Sequence, residues 1–338
     1  MIIWLCLKIG LPISYLVGTT LPFAEAGRYD EKSKFLIYEA DEYDRNFLRF
    51  YPWLGVIMTV SFDHSDIYGS REEYLKAFRQ FEKQCEGVIR SGMELEGIRL
   101  SGKIRRVDAS VAVLAVEKLV ENLRGVGEGI EKWGAMSGVE ESETKKRDLK
   151  IEAEEGEREI GGSETGIREE LRDKELLRKR LIALINEFPG VKRRFERIEE
   201  GVYTDYGHHP EEVSATVEMA LEEAKNTGRK GVVVVYEPHQ NTRQWEVREG
   251  YGKAFLGVDK LYWLPTFLTR EDESLAILSP EELIGGLDNK EVGERAEMDE
   301  SLAERLLSAK NDGFLVLLMS AGPADKWYRG IFERKEGK

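Results

Sequence analysis

Short, uninterrupted runs of apolar and mostly branched residues set the tightest limit on how this chain can fold. Phe35 to Ala40 (FLIYEA), Gly55 to Val60 (GVIMTV), Gly231 to Tyr236 (GVVVVY), Lys260 to Leu264 (KLYWL) and Gly313 to Met319 (GFLVLLM) are the clearest of them. Each reads as a strand, and the first two, as short continuous apolar runs, predict strands covered on both faces. Amphipathic stretches separate them. Ser70-Arg71-Glu72-Glu73 has the form of a capping box and opens a helix with Tyr74, Ala77, Phe78, Phe81 and Cys85 along one stripe. Ala109 to Leu123 is a second helix, and a helical pattern resumes at Leu176 and stops at Pro189-Gly190. Pro210 to Ala224 carries proline at its first position, and further helices are predicted near Trp245 to Phe255 and Asp299 to Ala309. Strands separated by helices require an α/β architecture with parallel sheets.

The chain has 338 residues, which at roughly 150 per domain predicts about two domains. The boundary is expected near Gly201, giving domains over 1–200 and 201–338. Residues 140–175 break the pattern, with 14 acids, 8 bases and no aromatic residue. They predict a solvated, mobile insertion at about 137–175. No repeat of solenoid period is present.

Lys and Arg number 50 against 64 Asp and Glu, a net charge of −14. That balance argues against a surface that coats nucleic acid or an anionic membrane. Two cysteines, Cys6 and Cys85, cannot build a disulfide framework and fit a reducing compartment. No apolar run reaches the ~20 residues of a membrane span. The apolar start, Met1 to Leu21, ends near Ala24-Glu25-Ala26, which has the form of a signal-peptidase site. Against export, no positive residue precedes the apolar stretch and Gly10, Pro12 and Ser14 interrupt it. A helix over Ile2 to Ile9, a turn at Gly10-Leu11-Pro12 and a strand over Ser14 to Gly18 account for it equally well.

Polar, chemistry-bearing residues follow the predicted strands, at the sheet edge where open α/β proteins bind ligands. Glu39, Asp41, Glu42 and Asp44 place four carboxylates in six residues after the first run. Hard oxygen donors of this kind suit Mg²⁺, and a polar loop is the plainer alternative. Asp63-His64-Ser65-Asp66 follows the second run and could bring His64 to the same rim as Glu39. Lys192, Arg193 and Arg194 stand beside the turn at Pro189-Gly190 and read as a solvated basic loop or as a phosphate-recognition segment. Asp205-Tyr206-Gly207-His208-His209 runs into a helix N-terminus, which favours anions. Tyr236 to Arg243 (YEPHQNTR) leaves the valine-rich run. No zinc-finger spacing, no GxSxG and no GxxxxGK[ST] loop occurs in the sequence.

Taken in order, EADEYDRNFL (Glu39 to Leu48), DHSDIYGSREEYLKAFRQF (Asp63 to Phe81), FPGVKRRFE (Phe188 to Glu196), TDYGHHPEEVSATVEMA (Thr204 to Ala220) and YEPHQNTR resemble the Mur ligases. They are most similar to the member that joins L-alanine to UDP-N-acetylmuramate. The resemblance implies an incomplete central ATPase-type parallel-sheet domain followed by a Rossmann-like C-terminal domain. It implies a cytoplasmic, ATP-dependent ligase of peptidoglycan precursor synthesis, acting through an acyl phosphate, with ATP and Mg²⁺ as cofactors. By resemblance, Glu39 and His64 hold Mg²⁺, Arg194 meets phosphate and Asp205 contacts the nucleotide ribose. Tyr206, His208, His209, His239 and Arg243 line the substrate side. The family's UDP-sugar domain and phosphate loop have no counterpart in the sequence. This implies an N-terminally truncated enzyme, weak or inactive alone, or one completed by a separate chain. Ile104-Arg105 stands where the family has a His-Asn pair for adenine, and Gln240 replaces a substrate-side Arg. Glu237-Pro238 and Asn241-Thr242 echo the ligase that recycles murein tripeptide, which remains an alternative, as does a non-catalytic ligase-derived fragment or binding module.

Overall fold

The structure, a computed structural model, describes residues 1–60, 62, 67–125, 173–269 and 271–335. The expected insertion at about 137–175 lies outside the described residues as far as residue 172. The chain divides into two compact units, one made of Met1–Leu16, Arg28–Ile98 and Asp108–Phe188, the other of Val17–Gly27, Arg99–Val107 and Pro189–Lys338.

In the first unit, α1 (Ile2–Lys8) buries Ile3, Trp4, Leu5 and Cys6. The Trp4 indole N–H donates to the Leu184 carbonyl at 3.0 Å, in α4 (Lys174–Asn186). Gly10, at φ 72°, lets the chain reverse after α1. It then enters β1 (Ser14–Leu16), which pairs in parallel with β2 (Leu36–Tyr38). A second parallel pair joins β3 (Leu54–Ile57) to β4 (Gly87–Arg90). Between them, α2 (Arg71–Gln84) starts at Ser70, whose hydroxyl accepts the Glu73 N–H at 3.2 Å. Its Tyr74, Ala77 and Phe81 pack with Phe47, Ile57 and Tyr68. Strands buried on both faces are expected for 35–40 and 55–60, but β2 leaves Leu36 66% exposed and β3 alternates buried and half-buried positions. Apolar runs predicted coverage that these short strands do not receive from the described residues of their own unit.

Helix α3 (Lys103–Gly125) begins in the second unit and continues into the first. In the first unit, Glu117, 4% exposed, takes a bidentate pair of bonds from Arg178 of α4 at 2.7 and 2.6 Å. That geometry holds the two helices in one register. Asp173 caps α4, accepting the N–H groups of Glu175 and Leu176. Among the described residues no helix is long and apolar enough to cross a membrane.

The second unit is built on one six-stranded sheet. Its strands are β5 (Glu196–Glu199), β6 (Val202–Asp205), β7 (Val232–Glu237), β8 (Lys260–Trp263), β9 (Gly293–Arg295) and β10 (Leu315–Ser320), in spatial order β9-β8-β7-β10-β6-β5. All neighbours are parallel except β5 and β6. Gly201, at φ 74°, makes the hairpin turn between those two strands. The longest continuous stretch of this unit, Pro189–Lys338, includes β5 because β5 pairs with β6. Strands β7 and β10 are buried at every position. On one face, Tyr236, Leu261, Trp263 and Leu317 meet Val213, Val217 and Ala220 of α5 (Pro210–Asn226). On the other, Val233, Val235, Val316 and Leu318 meet Leu302 and Leu306 of α8 (Glu300–Asn311) and Tyr328 of α9 (Ala324–Lys335). Both faces of this sheet are therefore covered by helices.

The ion pairs of the first unit generate a pH-dependence. Hydrogen bonds from Lys118 and Lys174 lower the Glu121 carboxyl from 4.5 to about 2. A depressed carboxyl stabilises the fold above its unfolded value, and that stabilisation is lost as pH falls through the folded one. Glu121→Gln is expected to lower stability at pH 7 by up to about 1 kcal/mol, the range for partly exposed pairs. Urea unfolding series should show the gap closing below pH 4.5 and vanishing near pH 2.

Candidate active site

The carboxyl edge of the second unit's sheet collects most of the residues singled out above. Met319 of β10 lies opposite Asp205 of β6, and Ser320 lies opposite Glu237 of β7. Three strand ends therefore finish level, and the loops leaving β6 and β7 emerge side by side, the arrangement that forms ligand crevices in open α/β sheets.

Asp205 governs the first of these loops. It is 5% exposed, and its two carboxylate oxygens accept the Phe195 N–H at 2.7 Å and the Gly207 N–H at 2.6 Å. Burial raises its pKa, against the opposing effects of those two bonds and the charge of Arg194. Both oxygens accept from the chain's own backbone, and these bonds hold loop 189–195 against the end of β6. A side chain at Gly207 would crowd that carboxylate, with Cβ 2.9 Å from Asp205 Oδ1.

Tyr206 follows, its N–H donating to the Arg193 carbonyl at 2.8 Å. Two guanidinium groups lie over its ring, Arg193 at 4.8 Å and Arg194 at 5.5 Å from the centroid. Such stacking orients both cations, and the Arg193 guanidinium also donates to the Ser320 carbonyl. The Tyr206 ring also meets His208 edge-on at 5.4 Å. His208 in turn meets His239 at 5.8 Å, and His239 stacks on Phe267 at 5.9 Å. Three sequence segments, at 206–208, 239 and 267, thus form one continuous row of rings.

A buried polar chain beneath the row sets its spacing. The Tyr236 hydroxyl donates to the His208 carbonyl at 3.2 Å and lies 2.7 Å from the Tyr251 hydroxyl. Tyr251 donates to Gln244 Oε1 at 2.9 Å, and Gln244 Nε2 donates to the His239 carbonyl at 3.0 Å. Gln244 is fully buried, so its amide has no water to compete with these partners. Gln240, at φ 61°, bends the chain into α6 (Asn241–Val247) and donates its amide to the Thr269 carbonyl at 3.1 Å. His209 stands at the N-cap of α5, its backbone N–H 3.3 Å from Glu212 Oε2.

Burial lowers the His239 pKa below 6.5, and the positive potential of His208 and Arg243 lowers it further. Near neutral pH this imidazole is uncharged and can accept a proton. Arg243, in the first turn of α6, is the permanent cation beside it.

The metal pair has a different standing. His64 lies outside the described residues. Glu39 follows β2, exposed to solvent, its backbone N–H bonded to the Leu16 carbonyl. Among the described residues no three His, Cys, Asp or Glu side chains gather as a metal set. Glu39 alone offers one hard oxygen donor of the kind Mg²⁺ takes. Arg45 supplies a cation to this acidic region, pairing with Glu73.

Sequence reasoning missed Phe267, Gln244 and Tyr251 as parts of the rim. Phe267 reaches His239 through an isolated parallel bridge between residues far apart in sequence, and nothing local marks it. Arg193 carried a signal, since it sits in the basic segment with Arg194.

No protein-family model matches the chain. It is 27% identical to the UDP-N-acetylmuramate–L-alanine ligase of Lactobacillus delbrueckii subsp. bulgaricus, over 97% of this chain and 70% of that protein. The enzyme of the same name from Clostridium acetobutylicum is also 27% identical, over 92% and 67%. The crystal structure of the UDP-N-acetylmuramate–alanine ligase of Thermotoga maritima matches with a TM-score of 0.58 at 17% identity, covering 99% of this chain and 72% of that one. The folylpolyglutamate synthase/dihydrofolate synthase of Yersinia pestis, complexed with AMPPNP and manganese, matches at 0.52 with 11% identity, over 99% and 85%. The fold is Mur ligase-like, and the chain's relatives are enzymes that form bonds.

Asp205→Asn tests the holding role. An amide offers one acceptor where the carboxylate offers two, leaving a buried N–H without its partner, a loss of about 1–3 kcal/mol. Denaturant unfolding should register that loss, and limited proteolysis should cut within 189–195 faster than in the parent chain.

Proposed function

We propose that this chain belongs to the ATP-dependent acid–amino-acid ligases, joining the amine of L-alanine to the carboxylate of UDP-N-acetylmuramate in peptidoglycan precursor synthesis. One observation carries the reading. Arg194, Tyr206, His208, His239 and Arg243 converge on a single sheet edge, in a chain similar over almost its full length to ligases of that name.

The chemistry explains why such a row is useful. A carboxylate is a poor electrophile, so its oxygen first takes the γ-phosphoryl group of ATP, releasing ADP and leaving an acyl phosphate. The amine then attacks the acyl carbon, the carbon–oxygen bond to phosphate breaks, and inorganic phosphate departs with the electron pair. Permanent guanidinium groups stabilise charge that builds up on phosphoryl oxygens, and Tyr206 orients the Arg194 fork. Mg²⁺, when bound, would neutralise charge between the two anions, with Glu39 as one ligand and His64 as the proposed second.

The incoming amino acid arrives as an ammonium ion and must lose a proton before it can attack. The neutral imidazole of His239 is suited to take it, because Arg243 and burial keep that ring uncharged. Arg243 in turn can hold the amino acid's own carboxylate, a fork-to-carboxylate match. His208, in ring contact with His239, extends the polar wall.

Steady-state ADP release, measured with the full chain, ATP, Mg²⁺ and UDP-N-acetylmuramate, should depend on added L-alanine. ADP release that ignores L-alanine, or none at all, overturns the reading. Arg194→Ala should raise the KM for ATP about tenfold or more, in line with loss of a charge-assisted contact. The acid limb of kcat/KM for L-alanine should fall below pH 6.5, because the lowered His239 pKa keeps the base free until then. His239→Gln should remove that limb and cost about 100-fold or more in kcat.

A further inference from the structure

Beneath the row of rings lies a second set of charged groups that the proposed chemistry does not use. Glu237, the last residue of β7, is 3% exposed. Its carboxylate accepts the hydroxyl of Ser320, the last residue of β10, and the backbone N–H groups of Gly322 and Ala324 at the start of α9. Gly322 also donates to the Ser320 hydroxyl oxygen at 2.8 Å. A side chain at Gly322 would overlap both Glu237 and Phe267, so the fit leaves no room for variation.

The countercharge comes from Arg193. Its guanidinium donates to the Ser320 carbonyl and its charge acts on Glu237. Its Nε is buried without a hydrogen-bond partner. Its backbone is committed as well, the N–H to Glu196 Oε2 at 2.9 Å and the carbonyl to the Tyr206 N–H. Glu196 then reaches Arg329 of α9 at 2.7 Å. Arg193 and Phe195 both have left-handed backbones, at φ 55° and 46°. Such conformations are unfavourable for side-chain-bearing residues and persist only where the surroundings over-determine them.

We propose that Glu237 and Arg193 are a positioning pair that locks three strand ends together and thereby sets the reach of Arg194 and Tyr206 on the rim. Glu237 fixes β7 to β10 and to the N-terminus of α9. Arg193 carries that fixed point to loop 189–195 and lies over the Tyr206 ring. Neither residue has to touch a substrate for the arrangement to matter: Arg194 is the next residue, and its backbone direction follows from the left-handed turn at Arg193. The consequence for catalysis rests on the ligase reading above; the mechanical claim stands apart from it.

Hydrogen exchange on the full chain separates the two. In Glu237→Ala, amides of 191–195 and of 320–324 should exchange at least about tenfold faster than in the parent chain, while those inside β7 and β10 keep their protection. Glu237→Gln, which retains an acceptor for the Ser320 hydroxyl, should recover most of the protection. Arg193→Ala should loosen 191–195 and 204–207, and carries the test if Glu237→Ala fails to fold. Unchanged exchange in 191–195 in both alanine variants overturns the pairing, as does a uniform rise throughout the sheet, which would mark a general loss of stability. In the ligase assay, Arg193→Ala should raise the KM for ATP about tenfold with a smaller change in kcat. If the parent chain releases no ADP in response to L-alanine, the functional reading falls and the exchange data still decide the pair.

Discussion

The insertion of β10 between β6 and β7 is the constraint from which the rest of the second unit follows. Parallel pairing on both sides of this strand brings Asp205, Glu237 and Ser320 to the same level. A slip of one residue on either side would turn every side chain of that strand to the opposite face. The valines of β7 and the leucines of β10 forbid such a slip, because both faces of the sheet are covered by helices and each residue has its own cluster to fill. Rim chemistry is thus set by burial some distance below the rim.

Hydrogen-bonded polar side chains under the rim tie its loops together. Gln244 joins the His208 and His239 loops by way of Tyr251 and Tyr236, and Asp205 joins loop 189–195 to the end of β6. In a region of low dielectric, satisfied hydrogen bonds of this kind are strong and directional, and unsatisfied ones are costly. Together they keep a row of aromatic and imidazole rings at contact distance. Electrostatics follows from the same packing: burial lowers the His239 pKa, and the charges of His208 and Arg243 lower it further. A neutral imidazole beside a permanent cation is a useful pair where an ammonium must be deprotonated and a carboxylate retained.

The first unit is held differently. Its strands are three or four residues long and pair in two separate parallel sets. Helices contribute more of its definition, through the Trp4 bond to Leu184 and the bidentate Glu117–Arg178 pair. Around its acidic segment, Asp44 and Arg45 have left-handed backbones, and Arg45 lies over Tyr68 while pairing with Glu73. The carboxylate cluster is therefore shaped by a local cation as well as by strand geometry, which the spacing of its acids did not foretell.

Local chemistry in the sequence was enough to establish the α/β class, the valine- and leucine-rich strands of the second unit, and the helix starts at Ser70, Pro210 and Asp299. Apolar periodicity, capping side chains and proline at a first helical turn act within a few residues and need no partner. The motif residues Tyr206, His208, His239 and Arg243 were also legible, since each follows a recognisable strand or opens a helix. Tertiary structure alone decided that β5 belongs with β6, and that β2 is half-exposed. It also decided that Asp205 faces its own backbone, and that Phe267, Gln244 and Tyr251 complete the row. These outcomes depend on pairings between residues tens of positions apart, whose free energy comes from excluding water between surfaces that no local pattern can identify as neighbours.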